Sequence, residues 1–262
     1  MKLSIKYLAV LLLGVLLISS SKRPVHIFMA GDSTMADKTL TRTVTDSATG
    51  IKTTYPYLER GWGQLLPEFL NEKAIVKNYA RNGRSTRTFI EEGLWSDLIK
   101  NTRKGDFVII QFGHNDGVIT KKSYTNPAQF RLNFVAFVNE VKAKGATPIL
   151  CTPVARRKFD SNGMLEKTHG EFPDIIRAVA KQEKVVLIDM EVLTSKMLQD
   201  AGVEESNKFF HKFSPGESPF FPKGHDDNTH FNEKGAKKVA ELFLKETQKH
   251  NLKNLKKLIK QR

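Results

Sequence analysis

Five short apolar runs constrain this chain more than any other feature: Val25 to Ala30, Ala74 to Tyr79, Phe107 to Phe112, Pro148 to Thr152 and Val185 to Asp189. Each is long enough for one strand and largely apolar, the pattern of strands buried on both faces of a parallel sheet. Parallel neighbours need crossover connections, and the sequence between the runs supplies them. Gln129 to Lys144 puts Phe130, Phe134, Phe137, Val138 and Val141 on one helical face, and Gly145 follows as a C-terminal stop. Trp62 to Glu72 carries Leu65, Leu66, Phe69 and Leu70, and Phe172 to Glu183 carries Ile175, Ile176, Val179 and Ala180. Asn232 caps a last helix through Val239, Leu242 and Phe243. Strand and helix alternating in this way predict a three-layer α/β/α sandwich around a mostly parallel five-stranded sheet. Thr39 to Arg60 and Glu204 to Asp226 break the rhythm and read as loops, and loops at the carboxyl edge of such a sheet build its site.

At 262 residues the chain suits one domain, and its 40% apolar content excludes both a disordered chain and a polytopic membrane protein. The single cysteine, Cys151, excludes an intrachain disulfide and a thiolate zinc site. A formal charge of +14 raises a polyanionic partner: nucleic acid, anionic membrane or acidic polysaccharide. Its location weakens the first two. Lys2 and Lys6 precede the apolar run Leu8 to Ile18 and the small residues Ser19 to Ser21, so residues 1–21 read as a signal peptide. The run is shorter than the ~20 residues that span a bilayer, and no cysteine follows it for a lipid anchor. Export to a periplasm or to the outside, without stable membrane insertion, is expected. Lys245 to Arg262 holds seven basic residues and one acid, with Leu252, Leu255, Leu258 and Ile259 at helical spacing. Residues 251–262 are set apart as a basic tail whose apolar stripe rests on the core or frays, which leaves 22–250 as the domain carrying the site.

The first run delivers Gly31-Asp32-Ser33-Thr34, placing the Ser33 hydroxyl at the carboxyl edge where a helix should begin. Taken alone, Ser33 or Thr34 reads equally as a helix cap. The other end of the chain changes the balance, because Asp227-Asn228-Thr229-His230 puts a carboxylate three residues from an imidazole. A turn there can fold the carboxylate behind the ring, fix its tautomer and leave the second nitrogen free to take a serine proton. The order Ser, Asp, His without a G-x-S-x-G elbow excludes the usual α/β-hydrolase arrangement.

With these blocks in place the sequence resembles the SGNH (GDSL-like) hydrolases, in particular their rhamnogalacturonan acetylesterase-like branch. The resemblance rests on Gly31-Asp32-Ser33, on Asn78 to Ser85 (NYARNGRS), on Gly113-His114-Asn115-Asp116 and on Asp227-Asn228-Thr229-His230, in that order. Gly61-Trp62-Gly63-Gln64 and Asn232 to Ala236 look like the same branch. The resemblance implies a flavodoxin-like sandwich, Ser33 as nucleophile, His230 as general base and then acid, and Asp227 as its orienter. It implies an oxyanion hole of the Ser33 and Gly83 amides and the Asn115 carboxamide, and an acetylated plant polysaccharide, pectic rhamnogalacturonan foremost, as substrate. The chemistry would be two-step acyl transfer and requires no metal or cofactor.

Competing readings attach to several residues. His225, Asp226, Asp227 and His230 could instead form a metal site with His114, although Asp227 could not then also orient His230. His225 and Asp226 are read as solvated, and Asp32, Arg84, His114 and Asp116 as shaping turns through hydrogen bonds. Cys151 in its apolar run reads as a buried, inert thiol. Phe209, Phe210, Phe213, Phe220 and Phe221 fit either a stacking rim for sugar rings or the anchors of a long loop, and Tyr55 and Tyr57 are open in the same way. Trp62 reads as core. A fold kept for carbohydrate binding without turnover is the rival in function.

Overall fold

The computed structural model describes residues 23–260; the segment read as a signal peptide lies outside the described residues. The chain runs through β1 (Val25–Gly31), β2 (Thr41–Thr45), β3 (Lys52–Pro56), β4 (Glu59–Arg60), α1 (Trp62–Leu65) and a 3-10 turn at Leu66–Phe69. It continues through β5 (Ala74–Asn78), α2 (Thr86–Glu91), α3 (Leu94–Asn101), β6 (Phe107–Gln111), α4 (Pro127–Ala143), β7 (Thr147–Cys151) and α5 (Phe172–Glu183). Then follow β8 (Val186–Ile188), α6 (Met190–Ser206), β9 (Phe210–Phe213), β10 (His225–Asn232), α7 (Glu233–Thr247) and α8 (Lys253–Lys256).

The five apolar runs form the central sheet, in the order β5-β1-β6-β7-β8 and parallel throughout. Alternation along each strand feeds two cores. In β1, Ile27 and Met29 join the layer built by α1, α6 and α7, whereas Phe28 and Ala30 join the layer of α2 to α5. The phenylalanines of α4 fill the second layer, and the helix starts where Asn126 accepts from the Gln129 amide at 2.9 Å and Pro127 sets the first turn. The sequence reverses direction in space between β1 and β6, the position in such sheets where a crevice opens beyond the strand ends.

Three expectations change in detail. The helix expected over Trp62 to Glu72 stops being α-helical at Leu66, because Pro67 cannot donate a backbone hydrogen bond and a 3-10 turn takes over. Thr39 to Arg60 is not a plain loop: β2 and β3 pair as an antiparallel hairpin, threonine-rich and exposed, and so without an apolar run to announce it. Glu204 to Asp226 contains β9, which pairs with β10 in a small antiparallel sheet whose other edge is β4. Among the described residues no helix is long and apolar enough to cross a membrane.

Over residues 251–260 the basic segment packs on the first core layer. Leu252, Leu255 and Leu258 are buried, the Asn71 amide donates to the Leu258 carbonyl at 2.8 Å, and the Lys260 amide donates to the Phe69 carbonyl at 2.9 Å. The lysines face outward while the leucines cover α7 and the 3-10 turn. Leu255→Ala should therefore cost about 2–5 kcal/mol of stability in urea denaturation. A chain ending at His250 should lose more, and an unchanged midpoint for both would mean that the contacts carry no stability.

Candidate active site

Strand β1 ends at Gly31, and the next residues form a single turn rather than the start of a helix, with the Asp32 carbonyl accepting from the Met35 and Ala36 amides at 3.2 and 3.0 Å. A buried polar chain fixes this turn. Asp32 Oδ1 accepts from the Thr34 amide and hydroxyl at 2.9 and 2.8 Å, Gln111 Nε2 donates to Thr34 Oγ1 at 2.9 Å, and Trp62 Nε1 donates to Gln111 Oε1 at 3.1 Å. Trp62 is thus a core residue that also ties β6 to the turn holding Ser33. Gly61 lets the α1 segment approach: a Cβ there would lie 2.2 Å from the Ala36 carbonyl oxygen. Burial pushes the Asp32 carboxyl up despite the bonds from Thr34.

The partner of Ser33 arrives from β10. This strand pairs with β9 at His225 and Asp226 and again at Phe231, and the register shifts in between. The irregularity frees residues 227–230 to curl around one carboxylate. Asp227 Oδ1 accepts from the Thr229 and His230 amides at 2.7 and 2.9 Å, and Asp227 Oδ2 lies 2.7 Å from His230 Nδ1. An ionised carboxylate only accepts, so Nδ1 carries the proton and Nε2 is left to accept from Ser33 Oγ, 2.8 Å away. Partial burial pushes the Asp227 carboxyl up, but the bonds from the His230 ring and the backbone outweigh it and hold it well below the usual carboxylate range. Three residues read from opposite ends of the sequence thus stand in one hydrogen-bonded line.

Gly83 and Asn115 reach the same rim. Gly83, after β5, has φ of 77° with nothing within 4 Å of a built Cβ, so backbone conformation rather than space calls for glycine. The Asn115 carboxamide donates one N–H to the Arg84 carbonyl at 3.0 Å and keeps its second N–H for another acceptor. Ser33, Gly83, His114, Asn115 and His230 line a pocket of about 410 Å³ together with Glu59, Asn82, Lys121, Arg156 and Thr229. The neighbouring motif residues hold this wall. Asp116 accepts from the Thr86 amide and hydroxyl at 2.8 and 2.7 Å where α2 begins, and burial raises its carboxyl to about 6. Arg84 pairs with Glu92 at 2.8 Å.

Several contributors carried no sequence signal. Lys38, nearly buried, pairs with Glu59 at 2.7 Å and with Asn82, while Tyr57 donates to Glu59 at 3.0 Å. Burial raises the Glu59 carboxyl, and Lys38 brings it below its usual value. His114 Nδ1 meets His169 Nε2 at 3.0 Å, and Arg156 donates to the His114 carbonyl at 2.9 Å. Burial pushes both of these rings below the usual histidine value, His114 well below it. Lys38, Glu59, Arg156 and His169 sit outside the motif blocks, and only the folded chain reveals what they pair with. None of the five phenylalanines lines the pocket: Phe209 and Phe210 are core, Phe213 stacks on Phe221, and Phe220 packs edge-on against Tyr55 and Tyr57. They anchor the long segment rather than form a rim. Cys151 is buried and its thiol is pushed up by burial.

The model of the family described as GDSL-like Lipase/Acylhydrolase matches residues 27–243. The chain belongs to that family. As a member of the GDSL-like lipase/acylhydrolase family it is a carboxylic ester hydrolase. It is 39% identical over 225 residues to the rhamnogalacturonan acetylesterase RhgT of Bacillus subtilis, covering 84% of this chain and 88% of that one. It is 31% identical over 242 residues to the probable rhamnogalacturonan acetylesterase YesY of the same organism, covering 90% and 99%. Among solved structures, YxiM of Bacillus subtilis superposes with a TM-score of 0.70 at 28% identity, over 87% of this chain and 57% of that one. Axe2, an acetylxylan esterase from Geobacillus stearothermophilus, shares the GDSL-like fold with a TM-score of 0.56 at 16% identity, over 86% and 95%.

The line from Asp227 to His230 has a spectroscopic consequence. The Nδ1 proton of His230, held 2.7 Å from a carboxylate, should give a strongly downfield proton resonance that is absent in Asp227→Ala. With the Asp227 carboxyl lowered, the resonance should persist as pH falls through the range in which an ordinary aspartate titrates, so long as the fold survives. A resonance lost together with ordinary carboxylate titration would contradict the lowered acidity.

Proposed function

We propose that the chain is an exported serine esterase that removes O-acetyl groups from a plant cell-wall polysaccharide, pectic rhamnogalacturonan first, through an acyl-enzyme on Ser33. The observation that carries this reading is the hydrogen-bonded line of Ser33, His230 and Asp227 beside Gly83 and Asn115 at the switch point of the sheet. In the first step Ser33 Oγ attacks the acetyl carbonyl carbon and passes its proton to His230 Nε2. The carbonyl oxygen becomes an oxyanion, facing the amides of Ser33 and Gly83 and the free N–H of Asn115. The C–O bond to the sugar breaks and His230 returns the proton to the leaving alcohol. Water, deprotonated by the same ring, then releases acetate and restores Ser33. Asp227 stays ionised and stabilises the imidazolium in both steps.

The pocket wall bears on the substrate. Glu59, Asn82, Lys121 and Arg156 make it polar, and a long acyl chain would have to be buried against charged groups, which is unfavourable. A short acyl group on a hydroxylated leaving group suits it better. Lys121 and Arg156 add positive charge suited to a uronate-bearing polymer. Two relatives with names in rhamnogalacturonan deacetylation, at 39% and 31% identity, support the same choice. The lysine-rich surface gives no reason to invoke nucleic acid once the charge is set beside this pocket.

Acetate release from acetylated rhamnogalacturonan, xylan and mannan tests the substrate. The pectic polymer should be preferred and Ser33→Ala should abolish release from all three. Preference for xylan would move the substrate while leaving the chemistry, and release by Ser33→Ala would remove Ser33 from it. Each oxyanion donor is worth about 3–4 kcal/mol of barrier, so Asn115→Ala should lower kcat by about 10²–10³ with little change in KM. A variant with near-normal kcat would exclude Asn115 as a donor.

A further inference from the structure

Behind the Asp227 carboxylate stands a second set of nitrogen ligands. One ring nitrogen each from His211 and His225 and one Asp227 oxygen lie within 4.8 Å of one another. His211 sits on β9, is 2% exposed, and its Nε2 is buried without a hydrogen-bond partner. A buried imidazole nitrogen left unpaired is unfavourable and calls for a partner. His225 sits on β10, with Nε2 only 3.6 Å from Asp227 Oδ2, the same oxygen that accepts from His230.

We propose that His211, His225 and Asp227 form an inhibitory site for a zinc-type divalent cation, which withdraws the Asp227 carboxylate from His230. The inhibitory consequence rests on the esterase reading above; the binding site itself does not.

Two imidazoles and one carboxylate with a coordination position to spare are a donor set that Zn²⁺ accepts. Bonds of about 2.1 Å at tetrahedral angles place neighbouring ligand atoms about 3.4 Å apart. The pair His225 and Asp227 already has nearly that separation at 3.6 Å, so His211 needs the larger adjustment. The rings are held for it: His225 stacks on Phe221 at 4.0 Å, and His211 meets Tyr57, Phe213 and Phe221 edge-on. This aromatic surround keeps water away from one side of the ion. On the other side His225 and Lys212 border an open surface groove, which gives the ion a way in. Asp226 is engaged by Lys212 and does not enter the set.

Asp227 Oδ2 is the shared atom. A dication bonded to it cancels the charge that stabilises the His230 imidazolium and draws away the lone pair that Nδ1–H now uses. Ser33, Gly83 and Asn115 are untouched. Zinc should accordingly act on kcat and leave KM nearly unchanged.

The test measures binding and turnover separately on the full chain, after EDTA treatment and removal of the chelator. Equilibrium dialysis with Zn²⁺ should give one ion per chain for the wild type. Hydrolysis of an aryl acetate should fall at least tenfold in kcat over the same zinc concentrations, and EDTA should restore it. His225→Ala, which removes a direct ligand, should keep the zinc-free rate, bind zinc more weakly by about 100-fold or more, beyond the loss typical of an outer-shell partner, and lose the inhibition in proportion. His211→Gln, a second variant that retains a polar side chain, should do the same, with circular dichroism reporting its folding. Absence of stoichiometric binding overturns the proposal, as does bound zinc that leaves kcat intact. Inhibition that persists unchanged in His225→Ala also overturns it, placing the ion elsewhere. An inactive zinc-free wild type would instead defeat the esterase reading, while dialysis would still decide the site.

Discussion

The parallel pairing of β1 with β5 on one side and β6 on the other is the constraint on which the rest of the molecule depends. It fixes the carboxyl ends of three strands at one edge, so that the residues just beyond them share a rim however far apart they lie in the sequence. Ser33 follows the first strand, Gly83 the second and Asn115 the third. The imidazole that meets Ser33 does not come from this sheet. His230 comes from β10, outside the central sheet, and the register shift in that strand lets its ring reach Ser33. Helix α7 begins immediately afterwards, and Asn232, its cap, donates to the Phe210 carbonyl at 3.0 Å, so the imidazole is held from the small sheet and the core helix together.

Polar side chains inside a protein are expensive unless paired, and this chain concentrates its exceptions. Among the described residues, the buried side-chain atoms without a hydrogen-bond partner are Asp32 Oδ2, His114 Nε2, Asp116 Oδ2 and His211 Nε2. The first three belong to motif blocks around the pocket, and the fourth stands behind Asp227. Elsewhere among the described residues buried polar groups are satisfied, as where the Thr152 hydroxyl donates to Asp189 and accepts from the Glu191 amide, both at 2.8 Å. Imperfect satisfaction around one rim, in a domain otherwise tidy, is the mark of a region shaped for chemistry rather than for stability.

The sheet was legible because burial on both faces leaves a continuous apolar trace, and α4, α5 and α7 because one-sided burial leaves a periodic one. The hairpin β2-β3 left neither, since both of its faces meet solvent. Ser33, Asp227 and His230 could be read because each sits in a short block with local turn chemistry. Lys38, Glu59, Arg156 and His169 could not, since their significance lies in partners far away in sequence. His211 belongs with them: its nearest cue was a run of phenylalanines, and nothing in spacing links it to Asp227. His225, read as solvated, is half-buried and stacked on Phe221.

The seam between residues 251–260 and the 3-10 turn has a consequence for how the molecule is made. Leu252, Leu255 and Leu258 close a layer begun by Ile27 and Met29, so the first core stays unsealed until residues 252–258 have been synthesised. The imidazole also comes late, whereas its hydroxyl partner is among the earliest residues of the fold. The closed core layer and the hydrogen-bonded line therefore both wait for residues 225–258 to join a sheet whose strands all precede them in the sequence.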